Sequence, residues 1–260
     1  MLLTIDVGNT NIALGLMDGN NIIGRYRLTT KNPYTSDEYG VFISSFMMQA
    51  GITKKEIDAV LISSVVPKLM YSLNSAIIKF IGLTPVVVNS GIKTNIKLMM
   101  ENPSSVGADR IVNTTWAWNQ YHRSCIVVDF GTATTFDYVN KDGEFKYVII
   151  TPGLGISAGA LTSQTAKLPD IEIRKPASIL GRTTIEGMQA GVVFGYIGQV
   201  EYIIRQMKKE LNDPDCYVVA TGGLGRVIAC ETDEIDEYDP DIAYKGMYLL
   251  YEMNKESIHE

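Results

Sequence analysis

The chain has 260 residues, 46% apolar and 20% charged, with a formal net charge of −6. That length suits one large domain or two of roughly 120–130 residues, each able to bury a core. The acidic balance argues against a nucleic-acid surface, which clusters Lys and Arg. No apolar run approaches the ~20 residues that span a bilayer.

Residues 2–7, 12–17 and 21–28 read as short strands, with Asp18-Gly19-Asn20-Asn21 as a hairpin signal. Ser36 or Asp37 is suited to cap a helix to about Ala50, with Val41, Phe42, Phe46 and Met47 on one face. The apolar run Ala59 to Val66 reads as a buried strand stopped by Pro67. A helix to about Phe80 and a strand from Pro85 to Val88 follow. A helix from Ala108 through Tyr121 leads to strands near 125–129, 133–139 and 144–150, which repeat the opening three. Asp142-Gly143 supplies the second hairpin turn. The Gly-rich stretch Pro152 to Gly159 opens a helix or a phosphate-facing loop. Ile185 to about Leu211 reads as a long helix. Tyr217 to Thr221 is a buried strand running into Gly222-Gly223-Leu224-Gly225, and a last helix spans about Ile242 to Met253. Two halves are therefore expected, 1–115 and 116–260, with the last helix able to pack back on the first half. No Pro/Ser-rich linker separates them, so a shared interface and hinge are expected.

The N-terminus opens on a strand without a basic n-region, so no signal peptide is expected. Cys125, Cys216 and Cys230 are scattered and lack Cys-x-x-Cys pairing, which fits a reducing cytoplasm and speaks against structural zinc. His122 and His259 lie outside the glycine motifs, so a carboxylate is the better proton acceptor. Of Trp116 and Trp118, two apart on a helix, one is expected in the core and one at an interface. The acidic run Glu231 to Glu237 reads as a solvated loop, and Met47-Met48 and Met99-Met100 as core or interface packing.

Two strand-ending turns carry the chemistry. Leu2 to Ile5 runs into Asp6-Val7-Gly8-Asn9-Thr10-Asn11, and Cys125 to Val128 into Asp129-Phe130-Gly131-Thr132-Ala133-Thr134. Glycine lets a backbone approach an anion, Asn and Thr add donors, and each carboxylate can hold a hydrated cation. The bland reading, two acidic strand-end caps, is weakened by the same Asp–Gly offset in both copies. No lysine follows the first glycine in a P-loop pattern, so metal, backbone N–H groups, Asn9, Thr10 and Thr132 must meet phosphate charge. Gly107-Ala108-Asp109-Arg110 starts a helix. Asp109 there is either a favourable first-turn carboxylate or a base beside an anion-binding arginine. Thr183 and Thr184 either cap a helix or donate to a substrate. Gly222 to Gly225 is either a platform for adenine or ribose or an ordinary turn.

Together these residues resemble the type III pantothenate kinases of the acetate and sugar kinase/Hsp70/actin superfamily. The likeness covers nearly the whole chain and includes Thr151-Pro152-Gly153, Thr184 with Met188 to Gly191, and Thr221 to Gly223. It implies an α/β fold of duplicated ribonuclease H-like (actin-like ATPase) domains. Mixed five-stranded sheets would be flanked by helices, with nucleotide in the interdomain cleft. It implies ATP-dependent phosphorylation of pantothenate to 4'-phosphopantothenate, the first step of coenzyme A synthesis. Asp6, Val7, Gly8, Asn9, Thr10, Asn11, Ile12 and Ala13 would embrace the ATP phosphates, with Thr132 adding a contact. Gly107, Ala108, Asp109 and Arg110 would bind pantothenate, Asp109 as proton acceptor, and Thr184 would touch the substrate. Asp129 would ligate K⁺ or NH₄⁺. Mg²⁺ would accompany ATP with Asp6 as its nearest carboxylate, directly or through water. A cytoplasmic homodimer is implied, its pocket completed by the neighbouring subunit, with no membrane or nucleic-acid partner.

Three positions depart from the family pattern: Tyr26 before Arg27, Thr183 before Thr184, and Gly225 after Leu224. The rivals are a sugar or small-acid kinase, a regulatory accessory protein and an actin-like filament protein. The intact Asp6, Asp109 and Asp129 weigh against the regulator.

Overall fold

Strands buried on both faces, Leu2–Val7 and Ala59–Ser64, lie at the centre of the first sheet in the computed structural model, which describes residues 1–259. Glu260, the last residue of the expected second half, lies outside the described residues. β1 (Leu2–Val7), β2 (Asn11–Asp18) and β3 (Asn21–Thr29) form an antiparallel meander. Leu3, Ile5 and Val7 point into a core with α1 (Ser36–Gln49) and α2 (Pro67–Phe80), leaving Thr4 and Asp6 on the opposite face. β4 (Ala59–Ser64) runs parallel to β1, and β5 (Val86–Val87) parallel to β4, giving the order β3-β2-β1-β4-β5. A two-residue strand β6 (Lys97–Leu98) and helix α3 (Ala108–Tyr121) follow.

α1 departs from the expectation in two ways. Its N-cap is Thr35, one residue before Ser36 and two before Asp37, in a capping box: Glu38 N–H donates to Thr35 Oγ1 at 3.3 Å, and Thr35 N–H to Glu38 Oε2 at 2.8 Å. Its buried strip is Tyr39, Gly40, Ile43 and Met47, whereas Val41 lies on the outer face, 56% exposed. Tyr39, Ile43 and Met47 are four apart and stack on one face, which Val41 cannot join.

The second unit repeats the first. β7 (Cys125–Phe130), β8 (Ala133–Val139) and β9 (Glu144–Pro152) form the meander. α4 (Leu154–Ser163) and α5 (Thr184–Glu210) then cover one face. β10 (Tyr217–Thr221) is parallel to β7, and after α6 (Gly225–Ala229), β11 (Glu237–Tyr238) is parallel to β10. Its five strands run β9-β8-β7-β10-β11, the order of the first sheet. β1 and β7 have the same burial pattern. The second-to-third-strand register shifts between Leu16 and Met17 in one unit and between Tyr138 and Val139 in the other. A bulge kept at the same place in both meanders argues for the ribonuclease H-like duplication.

α7 (Ile242–His259) belongs with the first unit. By internal contact that unit comprises Met1–Asn119 and the segment from Asp241, and the second comprises Gln120–Pro240. Tyr244 of α7 lies over Gly15, where any side chain would overlap its ring, and Arg25 holds Asp241 through two bonds of 2.9 and 2.6 Å.

The acidic run is not merely a solvated loop. The Asp236 carboxylate accepts the Val218 N–H at 2.7 Å, and Glu237 accepts from the Tyr121 and Tyr217 hydroxyls at 2.9 and 3.1 Å. Met47 is in the core, but Met48 and Met99 are exposed. Trp116 is buried beneath the Lys245 ammonium, and Trp118 is half-buried. Among the described residues no helix is long and apolar enough to cross a membrane.

Candidate active site

The first turn is set by the end of a ladder. Val7 is the last residue of β1 paired with β2, opposite Ile12, so Gly8, Asn9, Thr10 and Asn11 form the bend, with Gly8 N–H donating to Asn11 O at 3.0 Å. Asn9, Thr10 and Asn11 are exposed, as donors for an anion must be. The bend is braced by a residue that sequence reasoning missed. Thr30 donates its N–H to Thr10 O at 3.0 Å and its hydroxyl to Gly8 O at 2.8 Å.

Register also places Arg27, Ala13, Asp6 and Ser63 in one row across β3, β2, β1 and β4, on one face of the sheet. Arg27 is thus a cation in the row of Asp6, where the turn itself carries none. Both reach the buried Tyr244 phenol electrostatically. Burial raises its pKa most, Arg27 opposes that and Asp6 adds to it. Ser63 Oγ is buried and has no hydrogen-bond partner among the described residues.

The second turn is tighter. Phe130 pairs with Thr134, leaving only Gly131, Thr132 and Ala133 between them. Gly153 N–H donates to Thr132 O at 3.1 Å, the counterpart of Thr30 N–H on Thr10 O. A Cβ on Gly153 would overlap the Gly131 and Thr132 carbonyl oxygens. Gly222, at φ +97°, packs on the Phe130 backbone, where a Cβ would come within 2.6 Å of both its carbonyl carbon and oxygen. Gly222 to Gly225 therefore supports the second turn from behind, a use the sequence reading did not assign. Asp129 sits in a row between Thr135 and Thr221. An acid flanked by a hydroxyl on its parallel neighbour recurs in both units, as Asp6 with Ser63 and Asp129 with Thr221.

Gly107 to Arg110 lies in the first unit with the first turn. Val65 joins the two, donating its N–H to Val7 O at 3.1 Å and placing its side chain 3.4 Å from where a Gly107 Cβ would be. That Cβ would also fall 2.5 Å from Asp109 Oδ1, so a side chain there would displace the carboxylate from its present position. Asp109 Oδ1 accepts the Arg110 N–H at 2.8 Å. Burial raises the Asp109 pKa, and the Arg110 N–H and guanidinium only partly offset it. A solvated helix-start acid would lack that penalty.

Thr183, not Thr184, is the N-cap of α5. Its hydroxyl accepts the Glu186 N–H at 3.2 Å, and Glu186 accepts the Thr183 N–H at 3.1 Å. Thr184 is exposed as the first residue of α5, and its side chain makes no hydrogen bond among the described residues. The two threonines thus divide the readings between them, one capping and one open to a ligand.

The donors at both acids are oxygens, which suit hard cations such as Mg²⁺ and K⁺ and not zinc. Among the described residues no three His, Cys, Asp or Glu side chains converge as a metal cage. A cation held by one carboxylate and by nucleotide phosphates needs no such cage.

Comparison with known proteins gives a family. Residues 2–206 match the model of the type III pantothenate kinases. A type III pantothenate kinase of Agathobacter rectalis is 49% identical, covering 96% of each chain. One from Bifidobacterium longum is 46% identical over 98% of this chain and 99% of its own. Among solved structures, component A of (R)-2-hydroxyglutaryl-CoA dehydratase from Acidaminococcus fermentans superposes with a TM-score of 0.52 at 15% identity, covering 98% of both chains. At that identity the likeness speaks for the fold alone.

Proposed function

The chain belongs to the type III pantothenate kinase family, and on that premise we propose which residues perform each part of the reaction. It phosphorylates pantothenate at the expense of ATP, in coenzyme A biosynthesis, and like other kinases uses a divalent metal. Phosphoryl transfer asks a protein mainly to position groups and to balance charge.

Residues 6–13 and Thr132 bind the ATP phosphates. Gly107 to Arg110 and Thr184 bind pantothenate, and Asp109 is the base. The pantothenate hydroxyl oxygen bonds to the γ-phosphorus as the bond to the ADP oxygen breaks, and the hydroxyl proton passes to the Asp109 carboxylate. Asp6, with Ser63 beside it, would hold Mg²⁺ directly or through water, and Asp129, with Thr135 and Thr221, would hold K⁺ or NH₄⁺. When bound, these ions supply positive charge against the triphosphate. The observation that carries this reading is the placement of Asp109: a half-buried carboxylate at the start of α3, its pKa raised by desolvation, joined to the first turn through Val65. A carboxylate kept beside a phosphate-type turn despite its desolvation cost is explained by use as a base.

The working form is a cytoplasmic homodimer. Support comes from exposed apolar side chains in the segment that leads into Thr184 and just after it: Ile179 is 64% and Leu180 81% exposed, and Ile185 is also exposed. A second copy covering them would shelter Thr184 as well. Among the described residues the thiols Cys125, Cys216 and Cys230 form no disulfide, which fits a reducing compartment. Sedimentation should give the mass of two chains, and Leu180→Asp should give single chains; a monomeric parent would end the proposal.

Coupled measurement of ADP release tests the chemistry. Pantothenate should serve as acceptor and a panel of sugars should not. Replacing K⁺ and NH₄⁺ by Na⁺ should raise the KM for ATP. Asp129→Asn should raise it similarly and abolish the response to K⁺. Indifference of the parent to all three ions would remove Asp129 from this role.

A further inference from the structure

We propose that Tyr196 is a positioning residue for the nucleotide, fixing the second turn from beneath through its hydroxyl. The inference rests on reading Gly131 to Thr132 as a phosphate turn. Tyr196 lies on α5, 5% exposed in the core of the second unit, its ring 6.3 Å from that of Phe130. Packing alone would be met by phenylalanine. The hydroxyl, however, has two partners, and both flank the turn: Thr134 Oγ1 at 2.5 Å and Pro152 O at 3.0 Å.

Thr134 is the first residue of β8 to pair with β7 beyond the bend. Pro152 directly precedes Gly153, whose N–H holds Thr132 O. One phenol therefore ties the start of β8, which leaves the turn, to the end of β9, whose next residue holds Thr132 O. It has a single hydrogen, which goes to the Pro152 carbonyl while Thr134 donates to the phenol oxygen. That assignment satisfies all three groups in a buried site where unmet polar atoms are costly. The first unit solves the same problem differently: Thr30 contributes both the backbone N–H to Thr10 O and a hydroxyl to Gly8 O. In the second unit the equivalent backbone donor is Gly153, which has no side chain and no space for one. A hydroxyl is supplied there by Tyr196, across the core, and it holds the residues at the turn's edge, Thr134 and Pro152, rather than a carbonyl of the turn itself.

Kinetics and nucleotide binding of purified Tyr196→Phe test this. The KM for ATP and the Kd for ADP, by calorimetry, should rise ~5- to 20-fold, the effect of about one lost buried hydrogen bond on a ligand-holding turn. The KM for pantothenate and kcat at saturating ATP should stay within about twofold. Thr134→Val should reproduce the effect, Thr134→Ser should not, and adding Thr134→Val to Tyr196→Phe should do little more, because both break one network. An unchanged KM for ATP in Tyr196→Phe would overturn the proposal. So would a parallel rise of both KM values with a lowered Tm, the mark of a merely structural role. Thr132→Val separates this from failure of the underlying reading. If it leaves ATP binding intact, the turn is not a phosphate turn. If it weakens binding while Tyr196→Phe does not, only the positioning role fails.

Discussion

Asp109→Asn is expected to cut turnover by ~10²–10⁴ while raising the melting temperature. The two effects share a cause. Burial pushes the Asp109 pKa up despite the opposing Arg110 N–H and guanidinium, so the fold favours the neutral side chain over the ionised one. In the pH window between the unfolded and the folded pKa, the unfolded chain has released this proton and the native chain still holds it. Stability therefore falls as pH rises through that window, and the loss is complete above the folded pKa. Asparagine keeps an oxygen for the Arg110 N–H and carries no charge to desolvate. At neutral pH the variant should melt higher than the parent, and the gap should narrow as pH falls through the window. On the parent, kcat should decline on the acid side at a higher pH than an ordinary carboxylate would give, because the base must be ionised to take a proton. Melting curves across pH with a turnover assay decide the matter. Near-normal turnover removes Asp109 as the base, and a variant that melts lower at neutral pH shows that the charge is not opposed by the fold.

Asp109 stood out in the sequence as a candidate because its signal is local: Gly107 lies just before it, Arg110 follows it and a helix begins there. The two Asp-x-Gly turns were legible for the same reason. The α1 cap was also there to be found, since Thr35 and Glu38 have capping-box spacing, although Ser36 and Asp37 drew the reading one or two residues too far. What the sequence did not disclose is set by register. Arg27 joins the row of Asp6 only because β3 pairs with β2 in one particular alignment, and a slip of one residue would turn it to the other face. The bulge after Leu16 helps fix that alignment and leaves no sequence mark. Thr30, Gly153, Tyr196 and Gly222 act on turns up to about ninety residues away in the chain, and no local pattern announces that. The acidic run misled for a related reason. Glu237 faces Tyr121 and Tyr217, partners that only the folded second sheet brings to it.

The glycines near the second turn offer a comparison in which chemistry is constant and surroundings decide the sign. Gly153→Ala should weaken ATP binding and lower the melting temperature, whereas Gly155→Ala, two residues on, should raise it. Gly153 has φ −65°, ψ 162°, which any residue adopts, so its requirement is for space alone. A methyl group there would overlap Gly131 O and Thr132 O, pushing the turn off the position its hydrogen bond to Gly153 now sets. Overpacking of this kind costs about 1–3 kcal/mol, or ~5- to 150-fold if it falls wholly on nucleotide affinity. Gly155 lies in α4 with nothing within 4 Å of its Cβ position. Alanine there gains helix propensity of ~0.5–1 kcal/mol. Gly222→Ala should be worse than Gly153→Ala, because its φ of +97° adds backbone strain to the overlap with Phe130. Calorimetric ADP titration and melting curves on the three variants give the order. Gly153→Ala with unaltered nucleotide affinity would mean that the second turn can yield without consequence, and that ATP does not depend on its present shape.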